Sequence, residues 1–133
     1  MRITGVETWR ITRALKAPFT ISFKTDTDAT LHVVRLTTDR GVPGLGAAAV
    51  NTAVTGETDD ACAAALDPAT LGWLDGFALD APAPLARALR VRLPQTPSAR
   101  SALDAAARDA WARALGLPLA DALGRAHAVL PTS

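Results

Sequence analysis

The 133-residue chain has one cysteine, no tyrosine, two lysines and only 5% aromatic residues. With Cys62 alone, an intramolecular disulfide is excluded, and its alanine-rich setting at residues 61–65 marks it as a buried thiol with no basic partner nearby in sequence. Few aromatics and many alanines mean a single modest core, since a chain of this size buries only about two-thirds of its unfolded surface. No apolar run approaches the roughly 20 residues that span a bilayer. The opening MRITGVETWR lacks the apolar centre of a signal peptide, so a cytoplasmic location is expected. Charge is sparse and unblocked, 20% of residues with a net of +1, which leaves no electrostatic footprint for nucleic acid or an acidic membrane.

What is present divides the chain into a strand-rich half and a helical half. Residues 2–14 alternate, with Ile3, Trp9 and Ile11 on one face and Arg2, Thr4, Thr8, Arg10 and Thr12 on the other; this predicts a strand with its first set toward a core. Residues 31–38 form a second strand, Asp39-Arg40-Gly41 a turn, and residues 42–49 a returning strand that Pro43, Gly44 and Gly46 suit to an edge or a bulge. Between the first two strands, LKAPFTISFKTDTDA at residues 15–29 reads as a long loop around an apolar patch of Phe19, Ile21 and Phe23.

The second half carries helix signals. Glu57, Asp59 and Asp60 are expected in the first turn of a helix reaching Leu66, where acidic groups suit the helix dipole. A second helix covers residues 83–92 after Pro82 and Pro84. The best-defined one has Thr96 as N-cap and Pro97 at its first position, and ends at Gly116 with Pro118 beyond. Ala99, Leu103, Ala106, Ala110 and Ala114 recur along it as a stripe small enough for close approach, while Arg100, Asp104 and Arg108 form an i, i+4 ladder. The fold class is therefore α+β, a three-stranded antiparallel meander packed on a helical bundle.

The composition offers little chemistry of its own. Lys16 and Lys24 do not form a Lys-x-Lys pair, and Asp26-x-Asp28 lacks the glycine and distal glutamate of a calcium loop. His32 lies in a strand and His127 in the tail, neither in a metal-ligand spacing, so both read as structural or solvent-facing. Gly41, Gly44 and Gly46 have the wrong spacing for a nucleotide loop.

Three stretches taken together, TLHVVRLTTDRGVPGLGAAA, NTAVTGET and SARSALDAAARDAWARALGLPLADALG, resemble the N-terminal capping domain of the enolase superfamily, in its dipeptide epimerase and muconate cycloisomerase branch (mandelate racemase/muconate lactonizing enzyme). The resemblance implies a capping domain over residues 1–125 and, at 126–133, the stub of a first barrel strand. The barrel, with its Mg²⁺ ligands and catalytic lysines, is missing from the chain or supplied separately. No catalytic residue, metal site or cofactor is expected in the chain, which alone should be inactive; Mg²⁺ belongs to the implied parent isomerase, a racemase or epimerase.

The resemblance further implies that two loops, at residues 18–28 and 49–58, close over the barrel mouth and contact a small carboxylate or an Ala-Glu-like dipeptide. Phe19, Ile21, Lys24, Thr25, Val54 and Thr55 are the substrate-contacting candidates. Lys24 would meet a substrate carboxylate and Val54 would wall the pocket, against plainer readings as a surface lysine and a core valine. The chain departs from the family at Ala47, where a glutamate is usual, and at Val50, where proline is common. The alternatives are the lid of a muconate cycloisomerase-like enzyme and a stand-alone interaction module derived from such a domain. Apolar lid residues facing water would favour a homo-oligomer.

Overall fold

Strand β1 spans Ile3–Ile21, β2 Lys24–Thr38 and β3 Gly44–Ala48, joined as an antiparallel sheet in chain order. The computed structural model describes residues 1–22, 24–127 and 129, so Phe23 and most of the stub expected at 126–133 lie outside the described residues. The expected turn joins β2 to β3: Gly41 takes φ 69°, the left-handed region that glycine enters without a steric penalty, and its N–H donates to the Thr38 carbonyl at 2.9 Å. β3 is an edge strand, as expected, and begins just after Pro43.

Two strand readings are corrected. Ile3 pairs with Thr38 and Gly5 with Thr37, so β1 carries one extra residue at Thr4. A single inserted residue moves every later side chain to the opposite face. Ile3 is fully buried, but after the bulge Val6, Thr8 and Arg10 share the inner face with their partners Leu36, Val34 and His32. Trp9, 42% exposed, and Ile11 fall on the outer face beside Val33 and Leu31.

The segment 15–29 is not a loop. Pairing continues from Arg13 with Ala29 and Ala14 with Asp28 and, past a wide irregularity at residues 15–18, from Phe19 with Asp26 to Ile21 with Lys24. The result is a two-stranded ribbon extending beyond the sheet. It is exposed on both faces, and the alternation Phe19-Thr20-Ile21-Ser22-Phe23, a strand signal in its own right, is obscured by the turn and polar residues on either side of it.

Among the described residues, five α-helices follow, α1 Thr52–Thr55, α2 Asp59–Ala65, α3 Pro82–Arg92, α4 Pro97–Ala114 and α5 Leu119–Ala122, with a 3₁₀ turn at Gly72–Leu74. Thr58 caps α2, its hydroxyl accepting from the Ala61 N–H at 3.1 Å, and Asp59 and Asp60 occupy the first turn. Glu57, expected in that turn, lies ahead of the cap and is buried. Its carboxylate accepts from the Ser98 N–H at 2.8 Å, filling the N-terminal capping role on α4 that the Thr96 side chain leaves open. At the far end of α4, Gly116 N–H donates to Arg113 and Leu117 N–H to Ala112, a double closure around a left-handed glycine with φ 70°.

The sheet meets the helices at the small residues. Gly44 and Gly46 face α4 so closely that a Cβ on Gly44 would lie 2.6 Å from the Ala110 nitrogen, and one on Gly46 2.7 Å from the Ala106 nitrogen, with helix carbonyls nearer still. Buried Ala99, Ala102, Ala106 and Ala110 form the facing stripe, whereas Ala114 is only half-buried. Asp109 accepts from the Leu45 N–H at 2.9 Å, giving one amide of the β3 edge a partner. Around this contact pack Val34, Leu36, Leu66, Leu74, Leu85, Leu89 and Leu103, all buried.

Gly46→Ala is expected to lower stability by at least about 3 kcal/mol, because a methyl there meets main chain that cannot step aside. Gly72→Ala, where nothing lies within 4 Å of the new methyl, is the control and should stay close to the parent in a urea melt.

Candidate functional site

A cavity of about 720 Å³ opens between the ribbon and the chain that follows β3. The ribbon contributes Lys16, Phe19, Lys24, Asp26 and Asp28 to one wall; Asn51 and Thr52 belong to the other, and Arg10 and Asp59 also line the cavity. The second wall is shaped locally. Thr52 donates its hydroxyl to the Glu57 carbonyl at 2.8 Å and Thr55 donates to Asn51 at 3.1 Å, while Gly56, with φ 72°, ends the single turn of α1.

The charges in this cavity are mostly engaged. Asp59 is hydrogen-bonded through one oxygen to Nε2 of the buried His32 at 2.7 Å, and its other oxygen stands 2.6 Å from Arg10 Nη2 as an ion pair without hydrogen-bond alignment. Lys24 pairs with Asp26 at 2.8 Å. Among the described residues, Lys16 and Asp28 are the lining charges with no ion-pair partner. These carboxylates do not fit a Mg²⁺ site: Asp59 is neutralised by Arg10 and bonded to His32, Asp26 is neutralised by Lys24, Asp28 has no second free carboxylate beside it in the lining, and no three ligand-type side chains cluster among the described residues.

Of the residues singled out from sequence, Phe19 and Lys24 line the cavity, and Phe19 is 60% exposed there. Ile21, Thr25, Val54 and Thr55 do not line it. Thr25 bonds hydroxyl to hydroxyl with Thr20 at 3.0 Å, Ile21 pairs with Lys24 near the ribbon tip, and Thr55 is turned to its own helix. Val54 is 72% exposed, which rules out the core reading. Asp28 and Asn51 lie within the two segments expected to contact substrate but were not singled out there, and Arg10 and Asp59 were not expected in the site at all. Arg10 looked like the polar face of a strand and Asp59 like a helix-dipole acid, so each had a sufficient local explanation. His32 is structural, as expected, but through Asp59 it is also a neighbour of the site.

The sequence profile of the mandelate racemase / muconate lactonizing enzyme N-terminal domain matches residues 3–124. The chain belongs to this family. It is 44% identical over its full length to the L-Lys-D/L-Arg epimerase of Methylococcus capsulatus, and 32% identical over 99% of its length to the L-Ala-D/L-Glu epimerase of Bacillus subtilis. The chain spans 37% and 36% of those relatives' lengths. Among solved structures, the Methylococcus capsulatus dipeptide epimerase complexed with Mg and the dipeptide L-Arg-D-Lys superposes with TM-score 0.96, covering 100% of this chain and 38% of that one. A substrate-liganded L-Ala-D/L-Glu epimerase from Bacillus subtilis gives TM-score 0.86 at 32% identity, over 93% and 34%. No described helix is long and apolar enough to cross a membrane.

In this N-terminal domain the second cavity wall is anchored through Glu57, and the buried Cys62 shares that environment. Burial, and then the adjacent Glu57 carboxylate, push the Cys62 thiol up to about 12 from 9.0. The folded state thus holds the thiol neutral where the unfolded chain ionises it. The resulting stability is fully present below pH 9 and is lost as pH rises toward 12. Melts of the parent should therefore fall more steeply over that interval than melts of Cys62→Ala, and iodoacetamide at pH 8 should label Cys62 only as fast as the chain opens; prompt labelling of the folded protein would contradict this assignment.

Proposed function

We propose that this chain is the lid of a Mg²⁺-dependent dipeptide epimerase of the enolase superfamily, and that the cavity between its two walls receives the side chains of the dipeptide. The observation that carries the reading is the cavity itself, which stands where the chain's two lid segments meet and is lined by charged groups of both signs and by Phe19. Epimerisation removes the proton α to a carboxylate and returns it on the other face, and this needs bases on both sides of that carbon. The parent's barrel supplies those bases and the Mg²⁺ ligands; the lid contributes walls, orientation and exclusion of water. A cytoplasmic location belongs to the same proposal.

For the substrate, dipeptides with cationic side chains are favoured. Asp28 is the acidic lining group without an ion pair, and the 44% and 38% identical relatives are L-Lys-D/L-Arg epimerases. An acidic, Ala-Glu-like substrate is the second reading, supported by Lys16 and Lys24 in the lining and by the 32% identical L-Ala-D/L-Glu epimerase, although Asp26 already engages Lys24.

The two readings separate by mutation in the enzyme formed when the chain is joined to its barrel. Asp28→Asn should lower kcat/KM for Lys- and Arg-containing dipeptides about ten- to a hundredfold, the cost of a lost charged hydrogen bond, and leave Ala-Glu nearly unchanged. Lys24→Ala should spare the cationic dipeptides. A selective loss of Ala-Glu turnover in Lys24→Ala, with Asp28→Asn silent, would establish the acidic reading instead.

A further inference from the structure

The ribbon that forms one cavity wall has few holds on the rest of the molecule. β3 pairs with β2 only from His32 to Leu36, so beyond His32 the two strands have each other and no third strand. A two-stranded ribbon without a packed face is marginal on its own. Its polar side-chain contacts mostly stay inside it: Thr12 with Thr30, Thr20 with Thr25 and Lys24 with Asp26. At its base, Arg10 and His32 are cross-strand partners on the inner face, and both reach the same carboxylate, Asp59. Each strand thus has one oxygen of Asp59.

Asp59 is also the first residue of α2, two positions after Glu57, whose carboxylate is bonded to the N-terminus of α4. The second wall, residues 49–58, is therefore fixed to the helical layer at the same place where the ribbon is fastened. We propose that Asp59 is a positioning residue that latches the ribbon to the start of α2 and so sets the separation of the two cavity walls. The buried His32 holds the carboxylate in place, and Arg10 transmits the hold to β1. The proposal stands on the cavity's geometry and holds whichever dipeptide the lid receives.

Hydrogen exchange of the whole 133-residue chain, resolved by peptide, tests this. Asp59→Asn keeps an acceptor for His32 but presents a neutral amide to Arg10. Ribbon amides at residues 14–29 should then exchange about two- to fivefold faster, the loss of one largely exposed ion pair expressed as local opening, while amides of α4 keep their parent rates. Arg10→Gln should reproduce the acceleration, and the double variant should add little, because both changes remove the same contact. Asp60→Asn, which removes a like charge from the same helix turn, should leave the ribbon at its parent rate. Equal acceleration in the ribbon and in α4 would make Asp59 an ordinary contributor to global stability, and an unchanged ribbon would remove the latch; either overturns the proposal. Should Asp59→Asn fail to fold, Arg10→Gln alone decides, since it leaves the His32 bond intact: acceleration confined to the ribbon sustains the proposal and its absence ends it.

Discussion

The main chain of β3 lies against the main chain of α4, and the rest of the molecule is arranged around that approach. Gly44 and Gly46 leave no side chain between strand and helix, and Ala102, Ala106 and Ala110 present the matching small surface. Interiors are close-packed, so a sheet seated this deeply fixes the helix position with little slack. The gain is in precision more than in buried area, since glycine and alanine contribute little apolar surface; the leucines around the contact supply that. β3 ends at Ala48 and the second cavity wall begins at once, so the placement of the strand is inherited by the wall. The far end of that wall returns to the same helix through Glu57 and Ser98.

The two walls are consequently built on different principles. Residues 49–58 are bounded on both sides by contacts with α4, one apolar and one polar. The ribbon projects from the sheet and is joined to the helical layer by the carboxylate of Asp59. Under the proposed lid function, one fixed wall and one latched wall would let the cavity close over a dipeptide and release it.

Signals carried by neighbouring residues were legible in the sequence. Pro97 at the start of α4, Gly116 and Pro118 at its end, and Asp39-Arg40-Gly41 between strands each act within a few positions, and each is where the reading placed it. The small stripe on α4 also foretold a close approach, although the reason for Gly44 and Gly46 lies across the interface and not in strand-edge chemistry. What escaped depends on distant partners. The bulge at Thr4 reversed the faces of Trp9 and Ile11; its local marks, Gly5 inside the strand and Val6 out of phase with Ile3, were outweighed by the alternation that follows. Glu57 resembled a helix-start acid for its own helix but serves another one 41 residues away. In the site, Phe19 and Lys24 were reached through the family resemblance, whereas Arg10 and Asp59 meet only when the sheet folds onto α2.

The placement of both cavity walls depends most on the contact between β3 and α4, and proton–proton distances report that contact directly. In a nuclear Overhauser spectrum of the folded chain, the α-protons of Gly46 should show strong cross-peaks to the Ala106 amide proton, and those of Gly44 to the Ala110 amide proton, because these glycines face those nitrogens with nothing between. Such cross-peaks are the predicted result. Their absence, with Gly44 and Gly46 seeing only neighbours within the sheet, would mean that strand and helix stand a side chain apart, and the placement of both cavity walls argued from that contact would be wrong.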